Sequence, residues 1–342
     1  MQALGSSRKG GAEQFFIRLV DALNRQGVAQ RVIVRGGHWA EDRLRQAGVE
    51  TDNAWFGGAL DFFTHAKFKR VLREHQADIA VTWMRRAATS CPSGPWLHVA
   101  RLGNYYKLSA FKTCDHLIGI TPGIVDYIVK GGWPKDRATF IPNFVPAFEA
   151  APTPRASLST PEGPPLILWL GRMAHDKGPD IVVKAMADVP GAYLWMAGDG
   201  AEEKAVRQLA GDMGLSERVR FLGWRDDIHS LLEAADIFVC ASRFEAHGNI
   251  VLEAWAHGLP IVSARSPGPE HLISHGETGL LVANDNPSDM ARALNELISS
   301  ISLRRMLGEA GRAHFRATYS EAAVTAQYHD LFARMKAQGK RR

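Results

Sequence analysis

The chain has 342 residues, of which 46% are hydrophobic and 23% charged, a composition typical of a globular protein with room for two cores. No apolar run is long enough for a membrane-spanning helix, and the first residues lack the apolar segment of a signal peptide. The cysteines Cys91, Cys114 and Cys240 are odd in number and lack metal-ligand spacing, so we expect buried, reduced thiols and a cytoplasmic location.

Charge is distributed unevenly along the chain. Residues 1–150 carry 20 Lys and Arg against 13 Asp and Glu, whereas residues 151–330 carry 16 against 23. Residues 331–342 add 5 bases and no acid. This asymmetry predicts an anionic partner for the N-terminal half, such as a membrane surface or an anionic glycan. Because no nucleic-acid motif is present, we expect no nucleic-acid partner.

The N-terminal half alternates short apolar runs with amphipathic stretches. Four residues precede the glycine-rich loop 5–11, so either the first strand is very short or the chain begins further upstream. A helix is predicted at 13–25, and buried strands are predicted at 32–34, 79–82 and 117–120. Residues 60–73 combine aromatics with bases on one short helix, which is either an ordinary surface helix or one that docks on the anionic inner leaflet.

The middle of the chain is rich in proline. Six prolines lie within residues 146–165, which predicts a linker between an N-terminal domain at 1–145 and a C-terminal domain at 166–320. In the second half, strands are predicted at 166–170, 192–197, 219–222, 237–240 and 260–263, with helices between them. This alternation implies parallel sheets with helices on both faces, which bind ligands at the carboxyl ends of their strands.

Two bases follow the first strand of the second half. Arg172 and Lys177 share one loop, and Pro179 is suited to the first turn of the next helix. Two cations beside a helix N-terminus can bind a diphosphate. The alternative is a solvated loop that happens to contain two bases.

Two glutamates flank a second helix start. Glu245 lies in the loop and Glu253 in the helix that begins near Gly248, Asn249 and Ile250. Free backbone amides at this helix start favour an anion, and the glutamates could hold hydroxyl groups on either side of it. Alternatively, Glu245 is a solvated loop acid and Glu253 interacts with the helix dipole.

Three further glycines follow strands in the same half. Gly198 and Gly200 flank Asp199 in a tight turn, which is weak evidence for ligand binding. Gly223 ends another strand, and Trp224 after it could form one wall of a base pocket.

Together these motifs resemble the GT-B glycosyltransferases, and specifically the large retaining family 4. The resemblance covers about residues 166–320 and rests on several motifs in the family's order: the Gly-Arg-x4-Lys-Gly loop, the Gly-Asp-Gly turn, the Phe-Leu-Gly strand end, the Glu-x7-Glu box and a closing segment at 271–282. It implies an α/β fold of two Rossmann-like, doubly wound parallel-sheet domains that face each other across a cleft. It also implies that a C-terminal helix and basic tail, 321–342, cross back to the N-terminal domain.

The resemblance implies roles for residues of the second half. Arg172 and Lys177 would bind the donor diphosphate, and Glu245 would contact the transferred sugar. Backbone amides from Gly248 to Ile250 would bind the phosphates, and Glu253 would bind the ribose. Gly198, Gly200 and Gly223 would line the donor site.

In the first half the resemblance is weaker. Gly11 belongs to a loop similar to the family's Gly-Gly-Ala-Glu loop, which faces the donor. Where many members have a histidine at a strand end, this chain has Arg101. With Asn104 and Tyr105 it is a candidate for acceptor recognition, while His98, in mid-strand, is expected in the core.

The resemblance implies a retaining transfer from a nucleotide-diphosphate sugar to a glycan or lipid-linked acceptor, in bacterial surface polysaccharide or lipopolysaccharide biosynthesis. Because the chain contains no Asp-x-Asp, we expect no metal ion and no other cofactor. One alternative is a non-hydrolysing sugar-nucleotide epimerase on the same fold, and another is a binding protein with a degenerate site. A Rossmann dehydrogenase is disfavoured because the loop 5–11 lacks the Gly-x-Gly-x-x-Gly order.

Overall fold

The computed structural model describes residues 1–7, 10–37, 39–58, 61–146 and 150–339. They form two compact units, of which the first comprises Met1–Asn143 and Glu321–Arg342 and the second Phe144–Ser320. Parts of several predicted features lie outside the described residues: Arg8 and Lys9 in the glycine-rich loop, Leu60 at the start of the helix 60–73, residues 147–149 of the proline-rich segment, and the tail bases Lys340, Arg341 and Arg342.

The first unit contains a seven-stranded parallel sheet covered by helices. Its strands are β1 (Gln2–Leu4), β2 (Arg31–Arg35), β3 (Glu50–Ala54), β4 (Ile79–Trp83), β5 (Leu97–Leu102), β6 (His116–Gly119) and β7 (Ala138–Phe140). The helices between them are α1 (Gly11–Arg25), α2 (Trp39–Gln46), α3 (Phe62–Glu74), α4 (Met84–Ser90) and α5 (Pro122–Lys130). The strand order is β3-β2-β1-β4-β5-β6-β7. The first strand is therefore short but central, and Gln2 pairs with both Val32 and Val81.

The second unit contains a six-stranded parallel sheet. Its strands are β8 (Leu166–Leu170), β9 (Tyr193–Ala197), β10 (Val219–Gly223), β11 (Ile237–Cys240), β12 (Ile261–Ala264) and β13 (Leu280–Val282), in the order β10-β9-β8-β11-β12-β13. Its helices are α6 (Pro179–Met186), α7 (Glu203–Asp212), α8 (Ile228–Ala234), α9 (Asn249–Ala256), α10 (Pro267–Leu272), α11 (Pro287–Ser299) and α12 (Ile301–Thr318). A last helix, α13 (Glu321–Gln338), belongs to the first unit. The prediction of two doubly wound parallel α/β domains is confirmed.

Apolar strands form the two cores. In the second unit Trp169, Trp195 and Trp255 are fully buried between sheet and helices. All three cysteines are buried and free, as predicted. His98 is also buried, and its Nε2 lies 2.9 Å from the hydroxyl of Thr82, so it is the core histidine that its mid-strand position predicted. Within the described residues, no helix combines the length and apolarity needed to cross a bilayer.

Much of the proline-rich segment 146–165 packs against the second unit. Arg155 donates to the carbonyl oxygen of Ala234 at 2.8 Å and to the Asp236 carboxylate at 3.0 Å. The indole of Trp195 donates to the hydroxyl of Thr160 at 2.8 Å. These bonds hold the end of the segment in place beside β8.

Each sheet reverses its winding direction once. In the first unit the reversal lies between β1 and β4, and in the second it lies between β8 and β11. Strands that diverge in this way open a crevice at their carboxyl ends, where doubly wound folds bind their ligands. The loops after β8 and β11 are those that carry Lys177 and Glu245.

Candidate active site

The crevice of the second unit brings Lys177 and Glu245 into contact. Lys177 ends the loop after β8 and Glu245 lies in the loop after β11, so the two reach each other because their strands are neighbours. The Lys177 ammonium is 2.6 Å from Oε2 of Glu245, and both side chains are largely buried. A charge-assisted bond of this length fixes both groups at the carboxyl ends of β8 and β11, where doubly wound folds bind their ligands.

Glu245 is held as a carboxylate. Its Oε1 accepts the backbone N–H groups of His247 at 3.3 Å and Gly248 at 3.1 Å. Burial alone would raise the pKa of Glu245, but the Lys177 charge and these hydrogen bonds hold that pKa below its usual value. Glu245 is therefore a carboxylate near neutral pH.

The start of α9 lies beside this pair. Gly248 is its N-cap, with φ +71°, and provides no side chain to cap the first turn. Asn249 and Ile250 are the first helical residues, so their backbone N–H groups belong to the helix N-terminus, which favours an anion. Glu253 is half-buried one turn further along α9.

Arg172 lies in the same loop as Lys177 but does not contact Glu245. Its side chain is 67% exposed, and its guanidinium is 3.5 Å from the carboxylate of Asp176. The structure thus brings one of the two predicted cations to the glutamate and leaves the other at the exposed part of the loop.

Gly198 and Gly200 allow the loop after β9 to pack on the loop after β8. Their φ angles are +132° and +151°. A Cβ at Gly198 would lie 1.8 Å from the Gly171 carbonyl oxygen, and one at Gly200 would lie 2.4 Å from that of Met173. These glycines are therefore required by backbone packing, whatever their contact with a donor.

Gly223 is joined to the same corner of the sheet. Its carbonyl oxygen accepts the N–H of Gly198 at 2.7 Å. Trp224, the next residue, is 72% exposed, and its indole donates to the Asp226 carboxylate at 3.2 Å. An exposed indole at a strand end offers a flat surface for a base.

Arg243 links three loops around the site, a role that was not predicted from the sequence. It donates to both carboxylate oxygens of Asp180 at 2.8 and 2.9 Å, to Asp285 at 3.0 Å and to the His175 carbonyl oxygen at 2.9 Å. These hydrogen bonds raise the pKa of Arg243, and they lower the pKa of Asp180 against the opposing effect of burial. The available signal was an arginine two residues before Glu245.

The crevice of the first unit lies beside Gly11. Gly11 is the first residue of α1, and Glu13 in the same turn is buried. The hydroxyl of Ser6, in the loop after β1, donates to the Glu13 carboxylate. The loop after β1 is thus tied to the start of α1 by a buried acid.

Arg101 is buried rather than available to an acceptor. It is 3% exposed, donates to the hydroxyl of Tyr328 at 2.8 Å and to Oδ1 of Asn143 at 2.7 Å, and stacks between Phe15 and Trp83 at 4.5 and 4.6 Å from their ring centres. The prediction of acceptor recognition by Arg101 is therefore corrected, because its guanidinium faces protein groups.

The other two acceptor candidates are accessible. Asn104 is exposed, and Tyr105 is 59% exposed with its ring packed edge-on against Tyr127. At the carboxyl end of β4 the structure adds Met84, which has an unusual positive φ of +60°, followed by the exposed Arg85. A strained backbone at a sheet crevice is a common feature of functional sites.

Among the described residues, no group of three or more His, Cys, Asp or Glu side chains is placed to hold a metal ion.

Comparison with known proteins identifies the family. Residues 151–314 match the family described as Glycosyl transferases group 1. The chain is also 37% identical over 330 residues to the lipopolysaccharide core biosynthesis glycosyltransferase LpsE of Rhizobium meliloti (strain 1021), which covers 95% of this chain and 96% of LpsE. The chain belongs to the group 1 glycosyltransferases. The prediction of a glycosyltransferase is confirmed, and these matches give the epimerase alternative no support.

Solved structures agree with the fold of this glycosyltransferase. A glycosyltransferase from Rickettsia africae ESF-5 superposes with a TM-score of 0.86 at 18% identity, over 97% of both chains. Anabaena Alr3699/HepE, crystallised in complex with UDP, gives a TM-score of 0.83 at 19% identity, over 98% of this chain and 99% of its own. At such identities the likeness shows the GT-B fold alone.

Proposed function

We propose that this glycosyltransferase moves a sugar from a nucleoside-diphosphate sugar, bound by the second unit, onto a glycan or glycolipid acceptor of the lipopolysaccharide core, with retention of anomeric configuration. The Lys177–Glu245 pair at the sheet crevice carries the proposal. An ammonium next to a carboxylate can bind both parts of such a donor, its phosphates and its sugar hydroxyls. The similarity to LpsE supports the acceptor class.

In the proposed reaction the bond between the sugar C1 and the β-phosphate oxygen breaks. The acceptor hydroxyl forms the new bond to C1, the leaving oxygen keeps the electron pair, and that phosphate then accepts the hydroxyl proton. Negative charge grows on the diphosphate during this step. Lys177, Arg172 and the α9 amides would stabilise it more in the transition state than in the bound donor.

Glu245 is proposed to orient the sugar, with no covalent bond to it. Its carboxylate already binds the Lys177 ammonium and two backbone N–H groups, which lower its basicity. A carboxylate so stabilised is a poor nucleophile. This favours attack by the acceptor on the face that the diphosphate leaves, which retains configuration without a protein nucleophile.

Acceptor recognition is proposed for exposed residues of the first unit. Tyr105 provides an aromatic face on which a sugar ring can pack, and Asn104 lies beside it. Arg85, at the carboxyl end of β4, could bind an anionic group of a core oligosaccharide.

The donor-binding part of the proposal is tested by the variant Lys177→Ala. Turnover should fall roughly 10- to 1,000-fold, as for other lost transition-state donors. Lys204→Ala, an exposed lysine on α7, is the matched control and should retain activity. UDP-, GDP- and ADP-sugars, screened by thermal shift, provide the donor, and lipopolysaccharide from a strain lacking the gene provides the acceptor. Wild-type turnover in the double variant Arg172→Ala, Lys177→Ala, or an inverted anomeric centre in the product, would contradict the proposal.

Metal independence is a separate proposal. The chain has no Asp-x-Asp, and Arg172 and Lys177 can neutralise a diphosphate without a cation. Initial rates measured before and after dialysis against excess EDTA should agree. Loss of activity that Mn²⁺ or Mg²⁺ restores would show that a metal ion binds the diphosphate instead.

A further inference from the structure

We infer that one side of the first unit docks on the surface of an anionic phospholipid bilayer. Five residues form this docking surface: Trp55, directly after β3, and Phe62, Phe63, Lys69 and Arg73 on α3. It is a different part of the chain from the donor-binding loops of the second unit.

The turns of α3 place most of these residues on one outward stripe. Residues 62, 66, 69 and 73 follow one another at helical spacing and are all exposed. The opposite side buries Phe68, Val71 and Leu72 against the unit's core. The stripe runs about 17 Å from Phe62 to Arg73, at 1.5 Å per residue.

The aromatic end of the stripe is unusually exposed. Phe62 and Phe63 are 75% and 85% exposed, and Trp55 is 64% exposed. Trp55 lies close to them in the fold, because its neighbour Phe56 donates its N–H to the hydroxyl of Thr64, in the first turn of α3, at 2.9 Å. Adjacent exposed aromatics mark an interaction site, and they are suited to the boundary between lipid headgroups and acyl chains.

The bases of α3 divide into neutralised and available groups. Lys67 is 3.4 Å from Asp52, and Arg70 is 3.6 Å from both Asp52 and Glu74. In the described part of the chain no carboxylate pairs with Lys69 or Arg73. The cationic part of the docking surface is therefore Lys69 and Arg73, and it excludes Lys67, although both lysines belong to the same sequence stretch.

A bilayer fits this surface better than a soluble anion does. A phosphate or an anionic glycan would neutralise Lys69 and Arg73 but would leave Phe62 and Phe63 in water. An anionic bilayer offers negative charge at its surface and apolar volume a few ångströms below. Residues 1–150 contain more bases than acids, and this net positive charge attracts the unit to the same surface.

Co-sedimentation of the full chain with vesicles tests the inference without any acceptor. Vesicles of phosphatidylcholine with about one third phosphatidylglycerol should bind the chain at low salt, and vesicles of phosphatidylcholine alone should not. A base near such a surface contributes about 1 kcal/mol, or roughly fivefold in affinity, so Lys69→Glu with Arg73→Glu should weaken binding at least 25-fold. Phe62→Ser with Phe63→Ser should weaken it about tenfold or more while the salt dependence remains.

A matched control carries the same change of charge elsewhere on the first unit. Lys112→Glu with Lys135→Glu alters two exposed lysines near β6 and β7, and β7 lies six strand positions from β3, roughly 29 Å across the sheet. This variant should bind almost as the wild type does. Equal binding to both vesicle types, no binding at low salt, or equal losses in the two charge variants would overturn the inference. None of these results would bear on glycosyl transfer, which is measured with a donor.

Discussion

The ionisation of Glu245 depends on the charge of Lys177. Without the ammonium, only two backbone N–H groups would stabilise the buried carboxylate of Glu245. Burial, which disfavours the charged form, would then raise the pKa of Glu245. The same pair that could bind the donor therefore also determines at which pH the site is charged.

Lys177→Met should move the acid limb of the pH profile of kcat/KM to higher pH. The native pKa of Glu245 lies below its usual value, so the native acid limb from this group should lie below the ordinary glutamate range. Loss of the Lys177 charge raises that pKa, and Glu245 is then protonated at a higher pH. Rate measurements from pH 3.5 to 8 on Lys177→Met and on the control Lys204→Met would show the shift. Parallel profiles for the two variants would contradict it.

Arg101 shows where reasoning from single residues fails. In the sequence it stands at a strand end before Asn104 and Tyr105, which suggested an acceptor contact. In the fold its guanidinium donates to the hydroxyl of Tyr328. Tyr328 lies 227 residues further along the chain, on α13, which belongs to the same unit. Only the tertiary arrangement reveals that this arginine has protein partners and is buried.

The side chain of Arg243 links the loops around the candidate active site. Arg243 connects its own loop to Asp180 on α6, to the His175 carbonyl oxygen and to Asp285 after β13. A backbone bond from Phe244 N–H to the Asp176 carbonyl oxygen at 3.2 Å adds a second link between the same two loops. Arg243 is therefore a positioning residue for the Lys177–Glu245 pair.

Arg243→Met should raise the KM for donor and lower kcat. Misplacement of reacting groups by about 1 Å can cost roughly 100-fold, so we expect a 10- to 100-fold loss in kcat/KM. Arg243→Lys should recover part of the loss, because it restores the charge but lacks the fork that binds both oxygens of Asp180.

Arg265→Met is the control for this prediction. Arg265 makes an exposed 3.5 Å pair with Glu270 in the same unit, so its loss should leave donor kinetics unchanged. If Arg243→Met lowered the melting temperature but left KM and kcat as in the wild type, the arginine would be merely structural.

At the level of elements, the sequence was sufficient for most of the fold. Apolar runs such as Leu166–Leu170 and Ile237–Cys240 are typical of buried parallel strands. Because such sheets bind ligands at the carboxyl ends of their strands, the loops that follow these runs were the predicted site. The family resemblance implied one donor site for Lys177 and Glu245 but not their contact, which depends on β8 and β11 being neighbouring strands. The docking of Arg155 in the proline-rich segment was not predicted either, because a stretch with six prolines gives no pattern that distinguishes a free linker from one bonded to a domain.

Charge is arranged by unit across the whole molecule. Residues 151–330 carry more acids than bases, although they contain the proposed site for an anionic diphosphate. The net negative charge of these residues repels an anion. Binding of the diphosphate therefore depends on the local positive charges of Lys177, Arg172 and the α9 N-terminus. Residues 1–150 have the opposite balance, which suits the anionic surface inferred for α3.

The stability of the molecule should fall in mild acid because of His116 in the first unit. Its ring is buried at the start of β6, where Nε2 lies 2.8 Å from the hydroxyl of Thr139. Burial, reinforced by the nearby charges of Arg334 and Arg137, lowers the pKa of His116 to about 4. An unfolded histidine has a pKa of about 6.5, so between these values the unfolded chain binds a proton that the folded chain does not. Stability therefore rises with pH across this window, by at most about 3 kcal/mol for this group.

His116→Gln should remove that contribution. The glutamine can still bond to Thr139 but cannot be protonated, so its free energy of unfolding should change less than that of the wild type between pH 7 and pH 4.5. Urea unfolding of both proteins at the two pH values measures the difference. His65→Gln, at an exposed histidine on α3, is the control, and its pH dependence should match that of the wild type. If His116→Gln and the wild type lost the same free energy of unfolding between pH 7 and pH 4.5, the prediction would be wrong. The pKa of His116 would then be the same in the folded and the unfolded protein.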